Sequence, residues 1–385
     1  MSERRPIYLD HQATTPVDPR VLEAMLPYFR EDFGNASSNT HAFGWRAEAA
    51  VEDARERIAD HLGASPSEII FTSGATESNN LAIQGVLTGE SSTVGTAVTL
   101  ATEHPSVLEA CSANDREERA SVRLPVDAFG LVTPAEIEAA IEDSTALVSV
   151  AAANSEIGAL QPIDEIARVC GDRGVLFHSD AAQAIGKIPL RVDAVPVDLL
   201  SFSGHKIYGP KGIGVLFVRD RRPRITLRPL FAGGGQEGGL RSGTLPVALV
   251  VGLARALDLC MDEQAEEAKR LSELRDLLRA RISEAIPTAV TNGPVDRRLP
   301  GNLNLSFPET NGARLLLALP GLALSSGSAC SSATGEPSHV LLALGHDKGL
   351  ARASLRFGLG RSTTREQVES AADLVIAAVR EQAAR

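Results

Sequence analysis

Short apolar runs alternate with helix-spaced stretches through most of the chain. The runs are Ile69 to Phe71, Val98 to Ala101, Leu147 to Ala151, Val175 to Phe177, Leu199 to Phe202 and Val215 to Val218. Helical spacing covers Arg20 to Phe29 and Trp45 to Leu62, the latter with Ala50, Val51, Ala54, Ile58 and Leu62 on one face. Thr133-Pro134-Ala135-Glu136 reads as a helix start: Thr133 caps, Pro134 takes the first helical position and Glu136 completes a capping box. Such alternation predicts an α/β fold, a mostly parallel central sheet wrapped by helices.

Towards the C-terminus the pattern changes. Two helical stretches, Pro246 to Leu259 and Asp262 to Ile286, flank Met261, and the second carries Leu271, Leu274, Leu278 and Ile282 as a stripe. Asn302 to Phe307 and Ser354 to Gly358 read as half-buried strands, and Thr364 to Ala383 as a closing helix. The division expected is an N-terminal segment (1–15) packing with the small domain, a large domain (16–261), and a smaller α+β domain (262–385).

Charge and cysteines narrow the function. A net charge of −11 over 385 residues argues against a nucleic-acid or anionic-membrane surface. No apolar stretch approaches the ~20 residues that span a bilayer, and Met1-Ser-Glu-Arg-Arg-Pro6 is not a signal peptide. Cysteines 111, 170, 260 and 330 are dispersed and form no CxxC pair, so neither a disulfide framework nor a zinc site follows. The expectation is a cytoplasmic protein with reduced thiols.

Candidate chemistry clusters where strands end. Ser201-Phe-Ser-Gly-His-Lys-Ile-Tyr-Gly-Pro-Lys-Gly212 lies between two apolar runs, so Ser203, His205 and Lys206 fall at a strand terminus, where open α/β sheets bind ligands. A partly buried lysine there can form a Schiff base with a carbonyl cofactor. Thr72-Ser-Gly-Ala-Thr76 joins a strand to a helix, a geometry that offers backbone N–H groups to phosphate. Asp180, ending the run from Val175, suits a pyridine nitrogen, Gln183 lies three residues beyond, and His104 follows another run as a candidate stacking group. Cys330, in Ser325-Ser-Gly-Ser-Ala-Cys-Ser-Ser332, has small polar neighbours and reads as an exposed, reactive thiol on a loop, unlike Cys170 and Cys260. Arg356 is a candidate fork for a carboxylate.

Taken together, Tyr8-Leu-Asp10, Ala13-Thr-Thr-Pro16, Phe33-Gly-Asn35, Phe71-Thr-Ser-Gly-Ala-Thr-Glu-Ser78, Thr102-Glu-His104, Asp180-Ala-Ala-Gln183, the Lys206 segment, Arg241-Ser-Gly-Thr244 and the Cys330 loop resemble the NifS/IscS-type cysteine desulfurases. These are fold-type I pyridoxal-phosphate enzymes of the class-V aminotransferase family, and the likeness spans nearly the whole chain. The Cys330 loop, about 325–338, resembles that of the group with a long mobile loop, and the Arg-x-Gly-His-His-Cys signature of the other group is absent.

The resemblance implies removal of sulfur from L-cysteine, giving L-alanine and a persulfide on Cys330. Lys206 would bind pyridoxal 5'-phosphate, Asp180 the ring nitrogen and Gln183 the phenolic oxygen, while His104 would stack on the ring and assist proton transfer. Ala75, Thr76, Ser203 and His205 would hold the phosphate, joined by Thr244 from the second subunit of a homodimer with shared active sites. Arg356 and Asn35 would receive the cysteine carboxylate. No resident metal is implied, Cys330 being at most a passing contact for an iron–sulfur cluster. The acceptor would be a partner protein in iron–sulfur assembly or in thiolation of tRNA or DNA, without direct nucleic-acid or membrane binding.

Two features depart from the pattern. Ser155 stands where the family usually has a second Asn that reaches cofactor and substrate. The sequence ends at Arg385, whereas some relatives continue into a tail that docks the iron–sulfur scaffold, which leaves the acceptor open. A selenocysteine lyase or aminotransferase on the same fold, and a non-catalytic interaction protein, are the alternatives. Cys330 speaks against a transaminase, and Lys206, Asp180, His104 and Cys330 together against the interaction protein.

Overall fold

A computed structural model describes residues 5–89, 95–113, 115, 120–308, 310–326 and 336–383. The strands, in chain order, are β1 (Ile7–Tyr8), β2 (Ile69–Thr72), β3 (Thr96–Leu100), β4 (Val122–Leu124), β5 (Thr145–Ser149), β6 (Leu176–Asp180), β7 (Leu199–Ser203), β8 (Gly214–Val218), β9 (Val290–Thr291), β10 (Asn302–Ser306), β11 (Leu322–Ala323) and β12 (Ser354–Gly358). Seven of them form one sheet in the order β2-β8-β7-β6-β5-β3-β4. Its pairings are parallel except where β8 runs against β2 and β7.

The central strands are apolar at consecutive positions because both faces of the sheet are covered. Ile69, Phe71, Leu200, Phe202, Val215 and Phe217 point into one core, and Ile70, Leu199 and Leu216 into a second on the opposite face. The first core is closed by the helix Ala42–Leu62, whose Val51, Ala54, Ile58 and Leu62 are buried. The second is closed by the helix Ala75–Leu87. The capping box on Thr133 forms as its sequence predicts, with Glu136 returning to the Thr133 N–H. The stretch from Arg20 to Phe29 splits into Pro19–Met25 and Pro27–Arg30, because Pro27 cannot supply the N–H that continuity needs.

Two expectations are corrected. One 39-residue helix, Val247–Ala285, replaces the two stretches on either side of Met261. No proline or glycine interrupts it there, and its two ends serve different cores. Val250, Leu253, Leu257 and Cys260 enter the first, while Leu271, Leu274, Leu278 and Ile282 enter a further core with β10, β12 and the closing helix Arg365–Ala383.

The strands β10 and β12 are wholly buried rather than half-buried. Leu303, Leu305, Leu355 and Phe357 pack into that core. Their alternate positions, Asn302, Asn304, Ser306 and Arg356, are buried and polar, and find partners in the segment after β5 and in neighbouring strands and loops. Asn302 and Asn304 both donate to the Glu156 carbonyl (3.2 and 3.3 Å), and the Ser306 and Ser354 hydroxyls pair at 2.7 Å. A polar strand face buried against a neighbouring core reads in sequence like one that faces water. That burial aims Arg356 at the large sheet.

The N-terminal segment runs along the same seam. β1 pairs with β11, Leu9 joins the small core, and Asp10 bridges to Gly358.

Within the sheet, His178 spans three strands, its Nδ1 bonded to Ser149 Oγ (2.8 Å) and its Nε2 to Ser201 Oγ (2.9 Å). Burial pushes its pKa down to about 4, so the ring is neutral. The unfolded chain protonates it near pH 6.5, so its contribution is complete above that pH and is lost as pH falls towards 4. His178→Gln should therefore show a smaller drop in thermal midpoint between pH 7.5 and pH 5 than the parent protein. Equal drops in the two proteins would show that His178 does not carry this loss.

Candidate active site

The carboxyl ends of β3, β5, β6 and β7 open into a cavity of about 560 Å³, where an open α/β sheet binds its ligand. Lys206, His104, Asp180, Gln183, Ala75, Thr76, Ser203, His205, Ser155 and Arg356 all line it. These residues span most of the sequence and meet only because consecutive strands end on the same side. Asn35 and Thr244 are exposed and do not line it; Asn35 Oδ1 accepts from the Ser37 N–H (2.9 Å). Cys330 lies outside the described residues, but beyond its segment one flank lines the cavity and the other pairs with a residue that does. Ser325 pairs with Arg356 across an antiparallel bridge, and His339 contributes to the wall.

Asp180 closes β6 and is buried, accepting from the Ala182 N–H (2.9 Å) and Asn79 Nδ2 (2.8 Å). Among the described residues it makes no ion pair with a lysine or arginine. A buried carboxylate without a cation costs several kcal/mol, so the position suits a positively charged group supplied by a ligand, such as a protonated pyridine ring.

Lys206 leaves β7 through a single helical turn, Gly204–Lys206. Its Nζ donates to the carbonyls of Gln12 (2.6 Å) and Ala13 (2.8 Å), which hold the amine at the cavity edge. At the far side the helix Ala75–Leu87 begins without a side-chain cap. Its first N–H groups and the positive end of its dipole therefore face the cavity beside Ser203 and His205. This close approach depends on glycine. Gly74 sits at φ +149°, and a Cβ on Gly214 would lie 2.6 Å from the Gly74 Cα. The arrangement fits a phosphate at the helix start and a ring reaching Asp180, which is the outline of pyridoxal phosphate.

The histidines are neutral donors and acceptors. His104 Nδ1 accepts from the Ser106 N–H (3.1 Å) and lies 2.8 Å from Ser106 Oγ, which assigns the ring proton to Nε2. Burial lowers its pKa, with Asp180 opposing and Lys206 and His339 reinforcing. His205 is pushed down to about 4 by burial, then by Lys206, Lys211 and Lys187.

Arg356 is 1% exposed, the opposite of a surface arginine. Its Nη2 donates to Asp10 (2.7 Å) and Ser325 Oγ (3.3 Å), its Nη1 to the Ser155 carbonyl (3.2 Å), and its Nε has no partner among the described residues.

Sequence reasoning missed several contributors. Gln12 and Ala13 act through carbonyls, which side-chain identity does not encode. Glu103, within Thr102-Glu-His104, is pushed up to about 8 by burial, opposed by the Ala151 N–H and reinforced by Asp180, so a neutral acid lines the wall. Lys187 donates to Gln183 Oε1 at 2.7 Å. Composition held a clue: only five of the chain's 38 basic residues are lysines, and Lys187, Lys206 and Lys211 lie at this cavity or directly behind it. Arginine cannot give up its proton, so a lysine in an arginine-rich chain marks such chemistry.

The aminotransferase class-V family profile matches residues 7–370. The mitochondrial cysteine desulfurase of Drosophila melanogaster is 53% identical over 375 residues, covering 97% of this chain and 81% of that protein. The cysteine desulfurase IscS of Rickettsia bellii is 50% identical over 370 residues, covering 96% and 90%. Among solved structures, a NifS-like protein superposes with a TM-score of 0.89 at 38% identity, covering 97% of this chain and 98% of that one. A structure titled SspA in complex with cysteine gives 0.82 at 38% identity, covering 91% and 98%.

Removing the Asp10 carboxylate should leave a buried guanidinium uncompensated. Asp10→Asn is expected to cost about 3 kcal/mol, read as a lower urea midpoint. An unchanged midpoint would mean that the Ser155 and Ser325 contacts suffice for Arg356.

Proposed function

We infer that this chain, which belongs to the class-V aminotransferase family, is a cysteine desulfurase dependent on pyridoxal phosphate. The observation that carries the reading is the meeting of Lys206, Asp180 (without an ion pair to lysine or arginine among the described residues) and the uncapped helix start around one cavity, with Arg356 across it. Bound there, pyridoxal phosphate supplies an electron sink that lets the Cα proton of an amino acid leave.

The chain's own residues do the rest. Ala75, Thr76, Ser203 and His205 hold the phosphate, Asp180 keeps the ring nitrogen protonated, and Gln183 serves the phenolic oxygen. Lys206 binds the cofactor through its amine and moves the proton at the substrate Cα. His104, with its proton on Nε2, stacks on the ring and assists proton transfer. Arg356 receives the substrate carboxylate, Asn35 stays a proposed helper from outside the cavity lining, and Ser155 contributes its carbonyl to orienting Arg356. Cys330 thiolate attacks the substrate sulfur: a sulfur–sulfur bond forms, the carbon–sulfur bond breaks, its electron pair returns to the carbon skeleton, and L-alanine leaves.

The finer assignments have support of differing kinds. Thr244 is exposed, as suits a residue that serves the other subunit of a homodimer, and Phe29, Phe33, Phe43 and Trp45 are exposed apolar side chains available for that contact. The resemblance to IscS proteins favours a protein acceptor, in iron–sulfur assembly or in nucleic-acid thiolation through a partner. Among the described residues no helix is long and apolar enough to cross a membrane and no acidic, His or Cys cluster could hold a metal. We keep the cytoplasm as the proposed compartment and Met261 as the proposed domain boundary.

Incubation with L-cysteine should add about 32 Da, one sulfur, to the Cys330 peptide. Cys330→Ser should abolish that gain while keeping the 390–420 nm band, whereas Lys206→Ala should lose the borohydride-reducible link to cofactor. A Cys330→Ser protein that still passes sulfur, or no mass gain in the parent protein, would refute the assignment.

A further inference from the structure

Behind Gln183 sits an amine that the mechanism does not use. Lys187 lies four residues beyond Gln183, on the turn that leaves β6, and faces a second, smaller cavity of about 30 Å³ with His11, Tyr208, Cys260 and Glu267. Its Nζ donates to Gln183 Oε1 at 2.7 Å. That contact fixes which end of the amide is which. With Oε1 turned back to Lys187, the NH₂ end is directed to the Gln12 carbonyl (2.9 Å), and one of its two N–H groups remains for the catalytic cavity that Gln183 lines.

We propose that Lys187 is a positioning residue that holds the Gln183 amide with its N–H aimed at the ring oxygen of the bound cofactor and strengthens it as a donor. The proposal rests on the pyridoxal-phosphate reading and adds to it a residue that touches neither cofactor nor substrate. Reversal of the amide would present an acceptor to an oxygen that is itself an acceptor when ionised. A lysine is suited to preventing this, because an ammonium offers donors only.

The surroundings set when that charge is present. Lys206 from the β7 turn and Arg356 from β12 disfavour it, whereas Glu267 and Cys260 from the long helix favour it. From the N-terminal segment His11 faces it, and from the β7 turn His205 does as well; its charge lowers the pKa of both. Burial is the largest influence and, with these groups, brings Lys187 down to about 7. The charge that polarises Gln183 is therefore about half present near pH 7, grows as pH falls and fades as pH rises, while the neutral amine keeps an N–H for Gln183.

The test uses the full-length protein loaded with pyridoxal phosphate, comparing the parent, Lys187→Met, Gln183→Leu and the double variant. Two quantities are read: the pH midpoint of the visible cofactor band and the dissociation constant for pyridoxal phosphate by equilibrium dialysis. A positive charge and a donor near the chromophore both favour its deprotonated form. Lys187→Met should therefore raise the midpoint by roughly half a unit to one unit and weaken binding roughly three- to tenfold. The binding defect should be larger below pH 7 than above pH 8. In the Gln183→Leu background the same change should shift both quantities clearly less, because the part of the effect that runs through the amide is gone and only the direct field of the charge remains. Equal shifts in both backgrounds, or none in either, overturn the proposal. If Lys187→Met does not accumulate as folded protein, Lys187→Gln carries the same comparison. A parent protein with no visible band would refute the pyridoxal-phosphate reading itself, an outcome distinct from a band that ignores residue 187.

Discussion

The structure turns on a buried carboxylate, Asp180, that no lysine or arginine among the described residues contacts as an ion pair. Asp180 ends β6 inside the molecule, satisfied by an amide and a backbone N–H but not by a positive side chain among the described residues. An uncompensated buried charge costs several kcal/mol, a cost found at sites whose ligand completes the electrostatics. The other elements can be understood as fixing what lies around that charge. Lys206 is held one strand away by two carbonyls, and a helix start with unused N–H groups faces the same space.

The joint between the cores is as much a part of the site as the sheet. Asp10 to Thr15 runs along it and touches nearly every working group. Asp10 binds Arg356, the Gln12 carbonyl takes both Lys206 and Gln183, the Thr14 hydroxyl meets His205, and the Thr15 hydroxyl bonds the His205 carbonyl and the Tyr208 N–H. The helix Val247–Ala285 fastens the two cores from behind, since one rod packs into both. A rigid frame of this kind is what a constellation needs if its groups are to stay within tenths of an ångström of their working positions.

Much of this was legible in the sequence, for physical reasons that can be named. Strands buried on both faces are continuous apolar runs, and a polar residue that ends such a run, as Asp180 and Ser203 do, stands out at once. Thr133-Pro-Ala-Glu136 declared its capping box because the partners are local. The strands β10 and β12 were harder: Asn302, Asn304 and Arg356 look like a solvent face, and only the Glu156 carbonyl and Asp10, distant in sequence, explain their burial. A helix continuing through Met261 was missed because its apolar face changes partner there. Lys187 and Glu103 carry ordinary side chains whose altered acidity arises from surroundings that no local pattern states.

The most direct test of the account is a thermal cycle on one substitution. The parent protein and Asp180→Asn are melted with and without pyridoxal phosphate, following the far-ultraviolet dichroism. If Asp180 is a charge awaiting the cofactor's ring nitrogen, the cofactor-free variant should melt no lower than the parent, and the cofactor should raise the parent's midpoint by several degrees more than the variant's. If the cofactor raises both equally, Asp180 does not complete its electrostatics through the ring, and the central claim is wrong.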